Sequence, residues 1–162
     1  MKIDARLGAV CAASLCLCGM LLPSAATAAD PDSCALLPPA QIGSAVGVQV
    51  GDGKRVAATS VKTCTWTPTT KSDVTTVTVF SQPATAYDTG KQATSAANGT
   101  NGVAVKSARV GDDGYFLTIG AQASLFFKKG SSSFKVTVYA KLPVDKQEAM
   151  ELALAKQVIT KL

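Results

Sequence analysis

The sequence predicts an α+β domain. It should hold a twisted, mainly antiparallel β-sheet, with a short N-terminal helix, a central helix and a C-terminal amphipathic helix packed on one face, tied by one disulfide. Three observations carry that expectation. Segments of period-two alternation recur from residue 63 onward between Gly-rich turns. Helical patterns stand before, between and after the strand runs instead of alternating with single strands. Only two cysteines remain once the amino-terminal segment is set aside.

That segment, residues 1–28, reads as an export signal. Lys2 and Arg6 form a basic start, residues 7–22 are apolar and uncharged, and Ala26-Thr27-Ala28 fits the A-x-A rule. Cleavage is expected between Ala28 and Ala29, with Ala29/Asp30 as the alternative, and the destination is the periplasm or the exterior. The apolar run is short of the ~20 residues that span a bilayer. A lipobox wants a small residue before its cysteine, but Leu15 and Leu17 precede Cys16 and Cys18. No stable membrane anchor is therefore expected after cleavage. Removing 28 of 162 residues leaves 134, enough for a single domain over 29–162. Cys11, Cys16 and Cys18 leave with the signal, so Cys34 and Cys64 have only each other to pair with in an oxidising compartment. Closing that loop is worth roughly 3–4 kcal/mol in the chain-entropy account. A redox-active pair would want C-x-x-C spacing, which these two lack.

Within the domain, residues 37–47 read as a short helix. Proline suits its first turn, Ile42 and Val46 are four apart, and Gly47 is a natural stop. Val48, Gln49 and Val50 begin an extended piece that Gly51-Asp52-Gly53 breaks with turn chemistry. Residues 63–67 alternate, Cys64 and Trp66 against three threonines, as a half-buried strand does. Residues 74–80 are β-branched and form a second strand, with a hairpin over 69–73. Residues 83–98 read as an alanine-rich helix with Tyr87, Gly90, Thr94 and Ala97 on its packing face, ended by two Asn-Gly pairs. Residues 103–105, 115–119, 123–128 and 133–140 read as strands, the last two joined across Gly130-Ser131. The C-terminal helix shows Asp145 and Glu148 in capping-box spacing, with Val144 and Ala149 as a hydrophobic staple. Met150, Leu154, Val158 and Leu162 form its apolar stripe.

Composition excludes several function classes. The chain contains no histidine, which removes Ser-His-Asp, Cys-His and His-ligated zinc chemistry. Its net charge of +5 becomes +4 when Lys2, Arg6 and Asp4 leave with the signal, and no basic run exceeds two residues, so no nucleic-acid face is indicated. Gly111-Asp112-Asp113-Gly114 lacks the spaced oxygens of a calcium loop and reads as a turn. Ser132 and Lys135 match S-x-x-K, but on a strand residues three apart point to opposite faces. No cofactor, metal or catalytic residue is expected.

The quoted pieces resemble a widespread group of small bacterial exported proteins and lipoproteins of unknown function. The matching residues are Cys34-Ala35-Leu36-Leu37, Gly47, Cys64-Thr65-Trp66, Gly111-Asp112-Asp113-Gly114-Tyr115, and Phe127-Lys128-Lys129-Gly130 leading to Phe134. The resemblance implies an α+β layout similar to PsbP/Mog1 domains and implies no activity. The expectation is thus an exported, non-catalytic module that binds a protein or cell-envelope component. The alternative is an inhibitor or immunity-type protein that neutralises an exported enzyme or toxin. Candidate contact residues are Tyr115, Tyr139, Lys128 and Lys129 on the wet side of the sheet, with Trp66 as an outside candidate.

Overall fold

The computed structural model describes residues 31–56 and 62–162. The predicted export signal and its cleavage site lie outside the described residues. In chain order the elements are α1 (Ser33–Leu36), α2 (Pro39–Val46), β1 (Lys54–Val56), β2 (Lys62–Trp66), β3 (Val74–Pro83), α3 (Ala84–Ala96), β4 (Val103–Ser107), β5 (Asp113–Ile119), β6 (Gln122–Lys129), β7 (Ser132–Ala140) and α4 (Val144–Ile159). The strands form one sheet in the order β1-β2-β3-β7-β6-β5-β4, with every neighbour antiparallel. The α+β class, the antiparallel sheet and the disulfide all match the sequence expectation. The strand β1 and the one-turn helix α1 add to it. The side chain of Asp32 caps α1 by accepting from the Cys34 amide at 3.2 Å.

Alternation along each strand sorts the side chains into two layers. One face carries Cys64, Trp66, Val77, Val79, Phe134, Val136, Val138, Leu125 and Phe127, all at most 1% exposed. Against it pack Leu36 and Leu37, Ile42 and Val46 of α2, and Leu154, Ala155 and Val158 of α4. The Cys34–Cys64 disulfide ties α1 to β2 within this layer, with its Cα atoms 5.0 Å apart. Gly53 closes over it: a Cβ there would lie 2.7 Å from both Cys64 Sγ and Trp66 Nε1, so no larger residue fits without displacement.

The central helix departs from expectation in its placement. α3 leaves the end of β3 and leads the chain to the far edge strand β4, crossing the opposite face. Its buried anchor, Tyr87, meets Tyr115 with ring centroids 5.6 Å apart. Tyr115 pairs with Phe126, one register step from the Gly114–Phe127 pair, so both rings lie on the side away from Phe127 and the main core. The sheet is therefore covered on both sides, but unequally. At its end α3 also blunts the outer edge: Asn98 Oδ1 accepts from the Val105 amide at 2.9 Å, and the Gly99 amide donates to Val103 O.

α4 begins earlier than the capping-box reading placed it. Pro143 is the N-cap and makes no side-chain cap bond, which leaves Asp145 inside the first turn. Glu148 pairs with Lys106 instead. With Val144 already helical, the proposed staple has no place. The buried stripe is also shifted: Leu162 is half exposed, while Gln147 and Glu151 are fully buried beside Leu154 and Val158. These two polar side chains bond to main-chain groups at the ends of β6 and β7 and in the turns beside them, beyond the last registered pair, Leu125–Val136. Gln147 Oε1 accepts from the Ala123 amide at 3.0 Å, and Gln147 Nε2 donates to Ala121 O and Leu142 O. Glu151 Oε1 accepts from the Val138 amide at 3.0 Å. The helix thus satisfies strand groups that the partner strand does not reach.

Candidate binding face

The side of the sheet opposite the main core can be reconstructed row by row from the strand register. One row runs Lys54–Thr65–Thr78–Thr137, continued to β6 by a 2.9 Å hydroxyl–hydroxyl bond between Thr137 and Ser124. The next runs Val56–Thr63–Phe80–Lys135–Phe126–Tyr115. On the other flank Thr76 faces Tyr139. α3 lies against β6 and β7, with Tyr87 on Tyr115, and Thr137 of β7 is fully buried, so the open part is β1, β2 and β3 with Tyr139 at its edge. Val56 (51% exposed) and Tyr139 (41%) lie on the open part. Thr63, Thr65, Thr76, Thr78 and Phe80 between them are partly exposed.

The two lysines of this open part differ from those under α3. Lys54 and Lys135 enter no ion pair among the described residues, and no carboxylate stands in their rows. Lys135 Nζ lies 5.3 Å above the Phe126 ring, so its stem packs flat while its charge stays at the surface.

The covered part is a closed electrostatic cluster. Lys91 pairs with Asp113 at 2.6 Å and Lys128 with Asp88 at 2.7 Å; on the other side of β6, the side of Phe127, Lys129 pairs with Asp112 at 2.7 Å. Bonding from Lys129 and the Gly130 amide holds the Asp112 carboxyl below its ordinary range. Burial works to raise Asp113, but Lys91 outweighs it and the net shift is downward. The bond to Asp88 raises Lys128. Burial raises Tyr115, and it raises Tyr87 further with help from Asp113.

The expected contact residues are therefore divided. Tyr139 is exposed as expected. Tyr115 is 2% exposed, because α3 and the parallel ring of Phe126 at 5.1 Å enclose it. Trp66 is fully buried beside the disulfide. Lys128 and Lys129 are accessible but occupied by Asp88 and Asp112. The Gly111–Gly114 segment is a tight turn: Gly111 sits at φ +64°, and a Cβ there would come within 2.3 Å of Lys128 O. Ser132 and Lys135 lie on opposite sides of β7, as alternation requires. Sequence reasoning missed Lys54, Lys135 and the threonine band. The alternation in residues 63–67 and 74–80 signalled the band, but the strand pairing that assembles it did not show.

Among the described residues no three His, Cys, Asp or Glu side chains gather as a metal site, and no helix is long and apolar enough to cross a membrane. A shallow recess of about 580 Å³ lies between α2 and Val48, Gln49, Val50 and Thr69. Its wall is mostly small residues and backbone, with no charged side chain. No family model, curated protein or solved structure matches this chain.

Proposed function

We propose that this chain is an exported, non-catalytic binding module that contacts its partner through the open β1–β2–β3 part of the sheet and Tyr139 at its edge. The observation that carries this reading is the unequal covering of the two faces. α1, α2 and α4 close one side over a dry core, whereas α3 closes only half of the other. The remaining half presents an exposed tyrosine, a band of threonines and two lysines that enter no ion pair among the described residues, on a sheet packed from behind. A rigid scaffold of that kind loses little ordering entropy on association.

Three further facts support the reading. The absence of histidine removes the usual general base. The disulfide suits an oxidising compartment, reached through the predicted signal and its cut at Ala28/Ala29. The charges under α3, Lys91 with Asp113 and Lys128 with Asp88, are paired, whereas Lys54 and Lys135 on the open part enter no ion pair among the described residues.

A photo-crosslinking amino acid placed at Tyr139 should capture a partner in cell-envelope preparations. The same group at Lys156, on the exposed side of α4, should capture none. Capture only from position 156, or equally from both, would move the functional surface away from the sheet. Capture of one exported enzyme from position 139 would define the partner as an enzyme and the chain as its inhibitor.

A further inference from the structure

Resting on that reading, we propose that the open half of the sheet binds an acidic polysaccharide. The chemistry of the surface selects this class. Thr63 and Thr65 on β2 and Thr76 and Thr78 on β3 form a staggered band of hydroxyl-bearing side chains, with Thr65 directly opposite Thr78 and Thr63 opposite Phe80. Adjacent strands lie ~4.8 Å apart, and same-side residues along a strand ~6.7 Å apart. Successive hydroxyls along the band Thr63–Thr65–Thr78–Thr76 therefore follow one another at about the length of one sugar ring. Each can donate and accept, which matches the mixed donors and acceptors of a sugar better than the acceptor-rich surface of a lipid headgroup.

Tyr139 borders the band opposite Thr76, and Phe80 borders it beside Thr63. Aromatic rings beside hydroxyls suit the apolar C–H faces of sugars. Lys54 stands at one end of the Thr65–Thr78 row, and Lys135 stands next to Phe80. Two lysines with no carboxylate in these rows set the sign of the ligand. Their sparseness also sets its charge density: a nucleic acid would ask for a clustered basic face, whereas a polymer with one carboxylate per sugar needs only a cation at intervals. A protein partner would be met by a central aromatic or arginine anchor, and here the one well-exposed aromatic lies at the rim.

The test uses the purified protein and three probes of equal length: an alginate oligosaccharide (a polyuronate), a neutral dextran oligosaccharide and poly-glutamate. Threonine-methyl and amide NMR should show alginate shifting Thr63, Thr65, Thr76, Thr78 and Tyr139, with dextran and poly-glutamate shifting them far less. Lys135→Gln and Tyr139→Ala should each weaken alginate about tenfold, the loss expected of one charge-assisted or anchoring contact, and Lys156→Gln should leave it unchanged. Affinity should fall as salt rises. Unfolding midpoints of the variants, which change only surface residues, separate a lost contact from a lost fold. Dextran binding as tightly as alginate would overturn the acidic assignment. Alginate binding elsewhere, or not at all, would overturn the proposal. If poly-glutamate alone shifts the band, or Tyr139 crosslinks a protein there, the open-face reading stands and the polysaccharide falls. If neither any probe nor any crosslink maps to this face, both fall.

Discussion

Glu151 shows how far a single residue can sit from its sequence appearance. On α4 it reads as one of several surface acids, yet it is fully buried, with Oε1 on the Val138 amide and Oε2 without a hydrogen-bond partner among the described residues. Its role depends on where β6 and β7 part, which no local pattern announces; the same holds for Gln147. Tyr115 failed to read correctly for a related reason, since its cover comes from a helix more than twenty residues earlier. Burial raises the Glu151 pKa to about 8; the Val138 amide opposes this, Glu148 adds to it and Lys135 counters weakly. The folded value lies above the ordinary carboxyl value of ~4.3. The associated stability is therefore complete below about pH 4.5 and is lost as pH rises through about 8. With no histidine in the chain, little else titrates in that window. Unfolding free energy should fall between pH 5 and 8.5, by up to about 4 kcal/mol. Glu151→Gln should flatten the slope. Denaturant midpoints at the two pH values check this, and an unchanged slope in the variant would assign the pH dependence to another group.

At the scale of elements, most of the secondary structure was legible because each segment carried its own signal. β2 and β3 showed alternation, Gly47 stopped α2 at φ +73° with its amide on Gly43 O, and Gly130 opened the β6–β7 turn at φ +58°. β1 carried no such signal: three residues, all exposed, are a strand only because β2 offers them an edge. In α4 the period was visible but its phase was not. Leu154 faces the core with no exposure, so Leu154→Ala should destabilise by about 2–5 kcal/mol. Asp145→Ala should stay within about 0.5 kcal/mol, because no cap bond is lost. Chemical denaturation of the two variants side by side tests both. A neutral Leu154→Ala would mean that α4 does not seal the core, whereas a costly Asp145→Ala would restore the capping box.

For the whole molecule, the strand order was the part least accessible from sequence. Local patterns specify that strands exist, but the β1-β2-β3-β7-β6-β5-β4 order follows from α3 carrying the chain across one face so that the later meander returns against β3. That closure places the last strand at the centre, where β3–β7 pairing runs from Val74 to Pro83. The disulfide stands apart from it, joining α1 to β2 toward one edge of the sheet. Sheet core and covalent tie should therefore make separable contributions. Reducing the bond frees a 30-residue loop in the unfolded chain, which costs roughly 3–4 kcal/mol and lowers Tm by roughly 10–20 °C for a domain of this size. Typical domains hold about 5–15 kcal/mol, so the reduced protein should remain folded at room temperature. Trp66 reports this directly: it is fully buried against the half of the bridge contributed by Cys64. Its emission should stay blue-shifted after reduction at 25 °C and move to the red only at the lowered Tm. An immediate red shift on reduction would mean that the bridge, and not the β3–β7 pairing, holds the core closed. An unchanged Tm would mean that the 30-residue loop is already constrained in the unfolded chain.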